Sequence, residues 1–395
     1  MEHDPIVIVG AARTPLGNML GSLATVAAPQ LGACAIQAAV KRSGLKPDDI
    51  QDVLMGCVLP AGLGQAPARQ AAKAAGIPDI SSATTINKMC GSGMKAIMFA
   101  RDLILAGSQN TVVAGGMENM SQAPYLVMKG RQGYRLGHGT LIDSMLHDGL
   151  EDAYDKGKSM GWFAEQTAKQ HNLSRQLQDE FAITSLARAQ QAQQSGAFTA
   201  EITPVTVELR KDVQTISLDE GPQTGKAEKI PLLKPAFAEG GSVTAANSSS
   251  ISDGAAAVVL MRLSEAEKRG VTPLAKIIMH ASFANKPSLF TTAPIGAINA
   301  LFAKTGWKAN DIDLFEINEA FAVVTLVAMQ ALKLPHEKVN IHGGACTLGH
   351  PIGASGARIV VTLLSALKQK GLHRGIAALC IGGGEATAIG IELIK

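Results

Sequence analysis

The sequence predicts an α/β fold made of two similar halves with a region of different character inserted between them. Three observations carry that expectation. Short apolar runs of strand length alternate with longer helical ones, the order that builds sheets covered by helices. Fragments near the start recur in the same order, at nearly the same displacement, near the end. The composition, 46% hydrophobic and only 4% aromatic with 41 glycines, suits helices packed closely on sheets.

The 395 residues are enough for two cores, and a charged share of 17% describes a chain that buries them. The net charge is +3, with no Lys/Arg block interleaved with aromatics, so no nucleic-acid partner is expected. No stretch reaches the roughly 18–20 apolar residues that span a bilayer, so no membrane partner is expected either. The opening MEHDPIVIVGAARTP lacks a basic n-region, a sustained apolar stretch and a cleavage site, which argues against a signal peptide. Cys34, Cys57, Cys90, Cys346 and Cys380 are widely spread without a CxxC pair. Reduced thiols in the cytoplasm, and no metal, are the expectation.

In chain order, the first half reads as a buried strand at 6–10, a helix at 31–43 and a strand at 53–56. An apolar helix at 90–106, stopped by Gly107, and a strand at 111–114 follow. The second half repeats the pattern with a strand at Leu314–Ile317, a helix at 357–367 and a strand at 376–380. Three matches tie the halves together. Gly44-Leu45-Lys46-Pro47-Asp48-Asp49-Ile50 answers Gly306-Trp307-Lys308-Ala309-Asn310-Asp311-Ile312. Gly91-Ser92-Gly93-Met94-Lys95 answers Ala354-Ser355-Gly356-Ala357-Arg358, and Val113-Ala114-Gly115-Gly116 answers Cys380-Ile381-Gly382-Gly383. The expected division is a first half at 1–118 completed by 249–272, an inserted loop region at 119–248, and a second half at 273–395. Within the insert the sequence marks a helix at 176–195, and Ser252–Arg262 reads as a strand returning to the first half.

Four motifs carry chemistry. In Asn87-Lys88-Met89-Cys90-Gly91-Ser92-Gly93, a cysteine at a helix mouth sits where free N–H groups and the dipole raise its thiolate fraction. The alternative is a small buried hydrophobe. In Gly349-His350-Pro351, a histidine on a rigid turn suits a base or a carbonyl polariser, against a purely structural role. Cys380-Ile381-Gly382-Gly383-Gly384 offers a thiol with unencumbered N–H groups, or simply a glycine turn. Asn318-Glu319-Ala320-Phe321, after a strand, can hold a water or a carbonyl oxygen, or cap a helix. Together they are the equipment for carbon–carbon bond chemistry on thioesters.

These motifs, with Ala12-Arg13-Thr14-Pro15 and Ala114-Gly115-Gly116-Met117-Glu118, make the chain resemble the thiolase family almost end to end, in its acetyl-CoA acetyltransferase branch. The resemblance implies duplicated βαβαβαββ halves forming a five-layered α-β-α-β-α core with an inserted loop domain. It implies acyl transfer between coenzyme A thioesters with no further cofactor. Cys90 would carry the acyl group, and His350, with a water on Asn318, would form one oxyanion hole. Cys380 would move the α-proton, and the amides of Cys90 and Gly382 would form the other hole. Ser249 and Phe237 match positions that grip coenzyme A; Met160 and Phe321, with Ala320 beside it, match the acyl pocket. The 123–144 segment resembles those that close tetramers, so a homo-oligomer is expected.

The chain departs from the family pattern at Ser159-Met160-Gly161-Trp162-Phe163, where His-Met-Gly and two small residues are usual. It departs again around 221–229, which lacks arginine, and at Gly384-Glu385-Ala386. A longer-chain 3-ketoacyl-CoA thiolase is therefore the alternative reading, with Trp162 and Phe163 as candidates to reshape the pocket. A non-catalytic CoA-binding protein on the same scaffold is a third, disfavoured because Cys90, His350 and Cys380 are all present.

Overall fold

The structure, a computed structural model, describes residues 4–209 and 212–394. The apolar runs of the first half become β1 (Ile6–Arg13), β2 (Asp52–Gly56), β3 (Ser82–Ile86), β4 (Thr111–Asn119) and β5 (Ser252–Arg262). Those of the second become β6 (Ala275–Ala284), β7 (Leu314–Ile317), β8 (Arg374–Ile381) and β9 (Glu385–Leu393). They follow one path, β7-β8-β9-β6-β1-β5-β4-β2-β3, with the two-residue strand Gly17–Asn18 beside β5. Each half pairs by the same rule. β2 runs parallel to β4, which is antiparallel to β5, itself antiparallel to β1. Likewise β7 is parallel to β8, β8 antiparallel to β9, and β9 antiparallel to β6. Among the described residues, the pairs Val7–Lys276 and Ile8–Ala275 join the two sets.

The longer helices are α1 (Ala28–Ser43), α2 (Pro67–Ala74), α3 (Ser92–Leu105), α4 (Met160–Gln170), α5 (Arg175–Gln194), α6 (Ala293–Thr305), α7 (Ala322–Leu332) and α8 (Ser355–Lys370). On the outside of the first half, Leu31, Ile36 and Ala71 of α1 and α2 pack on Val53, Val113 and Val259. Outside the second, Ile298 and Leu301 of α6 pack on Ile317, Ile376 and Ala388. Between them, Met94 and Ile97 of α3 and Ile359 and Leu363 of α8 share one cluster with strands of both halves. Helices apolar on most faces belong in such a middle layer. The result is five layers, α-β-α-β-α, as the resemblance implied.

The duplication is visible in local detail. Gly44 and Gly306 end α1 and α6 in the left-handed region, at φ 77° and 74°. Each next turn is closed alike: the Lys46 N–H donates to Asp49 and the Lys308 N–H to Asp311, both at 2.8 Å. At the centre, a Cβ on Gly93 would sit 2.9 Å from the Ala357 N, and one on Gly356 would sit 2.4 Å from the Met94 N. Equivalent glycines thus let α3 and α8 cross in contact. The third sequence match is out of register, however. Asp52 pairs with Val112 and Leu314 with Gly375, so Val113 corresponds to Ile376 and not to Cys380.

The inserted region is tied down by buried charge. Arg13, at the end of β1, reaches Glu201 at 2.6 Å and Asp219 at 2.7 and 2.8 Å, all buried. Removing one partner of such a pair leaves an uncompensated buried charge, at a cost of about 3–5 kcal/mol. The 247–249 segment then docks on the start of α7, through Ser249 N–H to Ala320 O at 2.9 Å and Ala322 N–H to Asn247 O at 2.8 Å.

Candidate active site

Cys90 stands two residues ahead of α3, in a tight turn, and not inside the helix as its apolar pattern led us to expect. Met89 before it has φ 48°, a left-handed conformation that costs a non-glycine residue about 1–3 kcal/mol. The turn is braced by Ser92, whose Oγ accepts from the Lys88 N–H at 2.8 Å and donates to the Met89 carbonyl at 2.6 Å. Burial pushes the Cys90 thiol up, opposed by the N–H groups of Gly382 and of Cys90 itself, which point at the sulfur. The expected lowering by the helix mouth is therefore overturned. The thiol is protonated at rest, because desolvation of a thiolate outweighs two amide dipoles.

Cys380, near the end of β8, is fully buried and its thiol is pushed well up, by burial first and then by the charge of Cys90 nearby. The following turn packs against the Cys90 turn, a Cβ on Gly91 having only 2.4 Å to Ile381. Gly382 faces Met160, whose Sδ would lie 3.4 Å from a Cβ at that position.

His350 is buried, and its Nδ1 lies 2.5 Å from the Ser355 Oγ. That hydroxyl donates its one hydrogen to the Pro351 carbonyl at 2.9 Å, so it accepts from Nδ1–H. The network thus assigns the tautomer and leaves Nε2 with a free lone pair and, among the described residues, no partner. Burial, with help from the Arg358 guanidinium, pushes the imidazole down to about 3, so it is neutral near pH 7. Asn318 leaves β7 at the same strand-end edge, its N–H on the Ala378 carbonyl at 3.0 Å. Both ends of its buried amide lack a partner among the described residues. It caps no helix, since α7 begins only after Phe321.

A cleft of about 800 Å³ gathers the remaining predicted residues. Ser249, Met160, Phe237, Phe321 and His350 line it. Ala320 is not on its wall but anchors Ser249 through its carbonyl. Phe237 lies on Gly161 and meets Phe321 edge to face at 5.9 Å. Trp162 and Phe163 do not line the cleft. Phe163 is buried behind it, and Trp162 packs edge-on against Phe163 with the Lys158 ammonium 3.9 Å over its ring. Among the described residues no cluster of three His, Cys, Asp or Glu side chains could hold a metal ion. Sequence reasoning passed over Ser355 and Met89. The first sat inside the repeated motif opposite Ser92 and was findable there; a left-handed methionine leaves no sequence signal.

Comparison with known proteins meets this geometry from the other side. Residues 6–264 match the model of the thiolase N-terminal domain, and 271–393 that of the thiolase C-terminal domain. An acetyl-CoA acetyltransferase of Cupriavidus necator is 47% identical over 389 residues, covering 98% of this chain and 99% of that one. One from Escherichia coli is 48% identical over 391 residues, with the same coverage. A cytosolic acetyl-CoA acetyltransferase of mouse is 47% identical over 392 residues, 98% of each chain. The crystal structure of the Bacillus anthracis acetyl-CoA acetyltransferase superposes with a TM-score of 0.97 at 41% identity over 99% of both chains. With two matching halves, a shared five-layered core and relatives of this identity along nearly its whole length, the chain belongs to the thiolase family.

Proposed function

We propose that the protein is an acyltransferase that condenses two acetyl-CoA molecules reversibly to acetoacetyl-CoA and CoA, through an acyl-Cys90 intermediate. The observation that carries this reading is the convergence of two backbone N–H groups on the Cys90 sulfur, with a second thiol beside it. In the first half-reaction the Cys90 proton passes to His350 Nε2 and the sulfur attacks the thioester carbonyl. The Cys90 and Gly382 amides stabilise the oxyanion, and CoA leaves with the proton from His350. Acylation caps the Cys90 sulfur, which can then no longer carry the charge that would disfavour a Cys380 thiolate, and the Cys380 proton can pass to His350. Cys380 then takes the α-proton of the second acetyl-CoA, while His350 and a water on Asn318 stabilise the enolate oxygen. The carbanion attacks the acyl carbon, and Cys90 departs as thiolate and recovers its proton from His350.

Met160, Phe237 and Phe321 line the cleft, and the acetyl-CoA acetyltransferases 47–48% identical to this chain support a short acyl group over the longer-chain alternative. The reading needs no cofactor beyond the CoA thioesters, and chelator dialysis should leave the rate unchanged. We also read the protein as a cytoplasmic homotetramer. Support comes from the exposed apolar side chains Tyr125, Met128, Leu136 and Leu141, a surface another copy would cover. A monomer in analytical ultracentrifugation would overturn the assembly.

The experiment that tests the chemistry separates its halves. Wild type incubated with acetyl-CoA should gain one acetyl group at Cys90 by mass spectrometry, and Cys90→Ala should gain none and be inactive. Cys380→Ser should still be acetylated but lose condensation, a hydroxyl being a far weaker base than a thiolate. Label elsewhere than Cys90 sinks the nucleophile; equal losses in both half-reactions remove the α-proton role.

A further inference from the structure

Glu118 is the next-to-last residue of β4 and carries a fully buried carboxylate, and among the described residues no cation pairs with it. Its surroundings consist of donors. Oε2 accepts from the Val58 N–H at 2.9 Å and the Gly353 N–H at 2.8 Å. Oε1 accepts from the Leu59 N–H at 3.1 Å and faces the Cys57 thiol at 3.5 Å. A carboxylate accepting at both oxygens satisfies this ring, and the ring opposes the burial that pushes the Glu118 carboxyl up to about 7.

The donors lie on two segments, and each leads to one member of the candidate pair. Gly353 belongs to the turn that begins at His350 and delivers Ser355 to Nδ1. The turn rests against the strand end: a Cβ on Gly353 would lie 2.6 Å from Glu118 Oε2. On the other side, Cys57 donates its N–H to Ile86 O at 3.0 Å and Val58 O accepts from the Asn87 amide at 3.4 Å. Residues 86–87 run directly into the Cys90 turn. Val58, Leu59 and Ile352 also form, with Met120 and Met145, the apolar floor on which Met89 and Cys90 pack.

We propose that Glu118 is a positioning residue that sets the spacing between Cys90 and His350, by holding both turns through one carboxylate. The inference rests on the nucleophile and base roles proposed above.

The test uses Glu118→Gln, which in either amide orientation sets an NH2 group against at least one backbone N–H, and Gly353→Ala, whose methyl displaces the carboxylate. The readout is the rate and acetyl-CoA dependence of Cys90 acetylation, by mass spectrometry, in protein shown to be folded by circular dichroism. The maximal rate should fall at least about tenfold with half-saturation within about threefold, since a misplacement near 1 Å costs up to about 100-fold. A smaller loss in either folded variant, or one carried by half-saturation, overturns the proposal. It also falls if neither variant folds, for then Glu118 only supports the fold. Wild type unlabelled at Cys90 would strike the underlying reading instead.

Discussion

The two helices that meet at the centre open on turns of the same construction, yet one carries Cys90, the proposed nucleophile, and the other His350, the proposed base. Ser92 and Ser355 each begin a helix and donate to a carbonyl behind them, Met89 O at 2.6 Å and Pro351 O at 2.9 Å. They differ in what they accept: a backbone N–H from Lys88 in the first turn, the His350 imidazole in the second. Two residues before the helix stands Cys90 in one turn and Gly353 in the other. Five before it stand Asn87 and His350. The proposed catalytic pair thus comes from non-equivalent positions of equivalent turns, so a duplicated scaffold holds an asymmetric site on two similarly braced loops.

The harshest test of that asymmetry is His350→Ala, expected to slow turnover at least about 100-fold, the scale for losing a base or an oxyanion donor. Survival within a few-fold, with the fold intact, would make the second turn as purely structural as its glycine suggests. The matched pair Ser355→Ala and Ser92→Ala sharpens the comparison. Ser355→Ala frees Nδ1 and lets the imidazole change tautomer, so Cys90 acetylation should fall about tenfold. Ser92→Ala loses two turn hydrogen bonds worth about 1 kcal/mol each, read as a lower Tm with acetylation within about threefold. Equal kinetic losses would show that the two serines do one job.

The layers beneath the turns also differ. Cys90 rests on an apolar floor, whereas one turn beyond Ser355 stands buried Arg358, with Glu316 at 3.5 Å from its Nη1. Burial pushes the Glu316 carboxyl up to about 8, against the pull of Arg358. A carboxyl raised in the folded state binds its proton more tightly there than in the unfolded chain. Its contribution to stability is complete below about 4.5 and is lost as pH rises to about 8. Glu316→Gln cannot titrate, so its Tm should decline less than wild type's between about pH 5 and pH 8. Parallel pH profiles would place the charge elsewhere.

Much of this arrangement was legible in the residues. β5 and β7 fall where the apolar runs ended, and the Gly44 and Gly306 repeat marked true equivalents because a left-handed cap needs glycine at both. β3 escaped notice because Ser82-Ala83-Thr84-Thr85-Ile86 is partly exposed and carries no apolar run. β6 did so because Lys276, His280 and Ser282 alternate with Ala275, Ile277, Met279, Ala281 and Phe283, leaving a period-two pattern and no unbroken apolar run of strand length. At the site, the cysteines, His350 and Asn318 stood out as motifs, but their ionisation did not. A helix mouth is readable in sequence, while the desolvation that outweighs it depends on which distant segments close over the sulfur. Glu118 stands within a motif that carries the family resemblance, which by itself assigns it no role. A lone carboxylate in the otherwise uncharged strand Thr111–Asn119 was the signal available.

The smallest effect concerns a contact across the site that this chain builds from one of its departures. Lys88, in the Cys90 turn, pairs with Glu385, at the start of β9 just past the Cys380 turn. Both side chains are about one-third exposed, 32% each, so solvent screens the pair and its worth is about 0–1 kcal/mol. Its position matters more than its strength, because it ties the turn bearing the nucleophile to the turn bearing Gly382. Lys95 lies close enough to feel both charges, so reversing one partner disturbs it as well. Lys88→Glu and Glu385→Lys alone each set like charges across the gap, and condensation should slow about two- to fivefold, the kinetic equivalent of about 0.5–1 kcal/mol. Together they rebuild an opposite-charge pair with the same summed charge around Lys95, and the rate should return to within about twofold of wild type. High salt should shrink the single-variant losses, since the pair is exposed to counterions. If the double variant is as slow as the product of the singles, the two residues act independently, and the strap across the two turns does not exist.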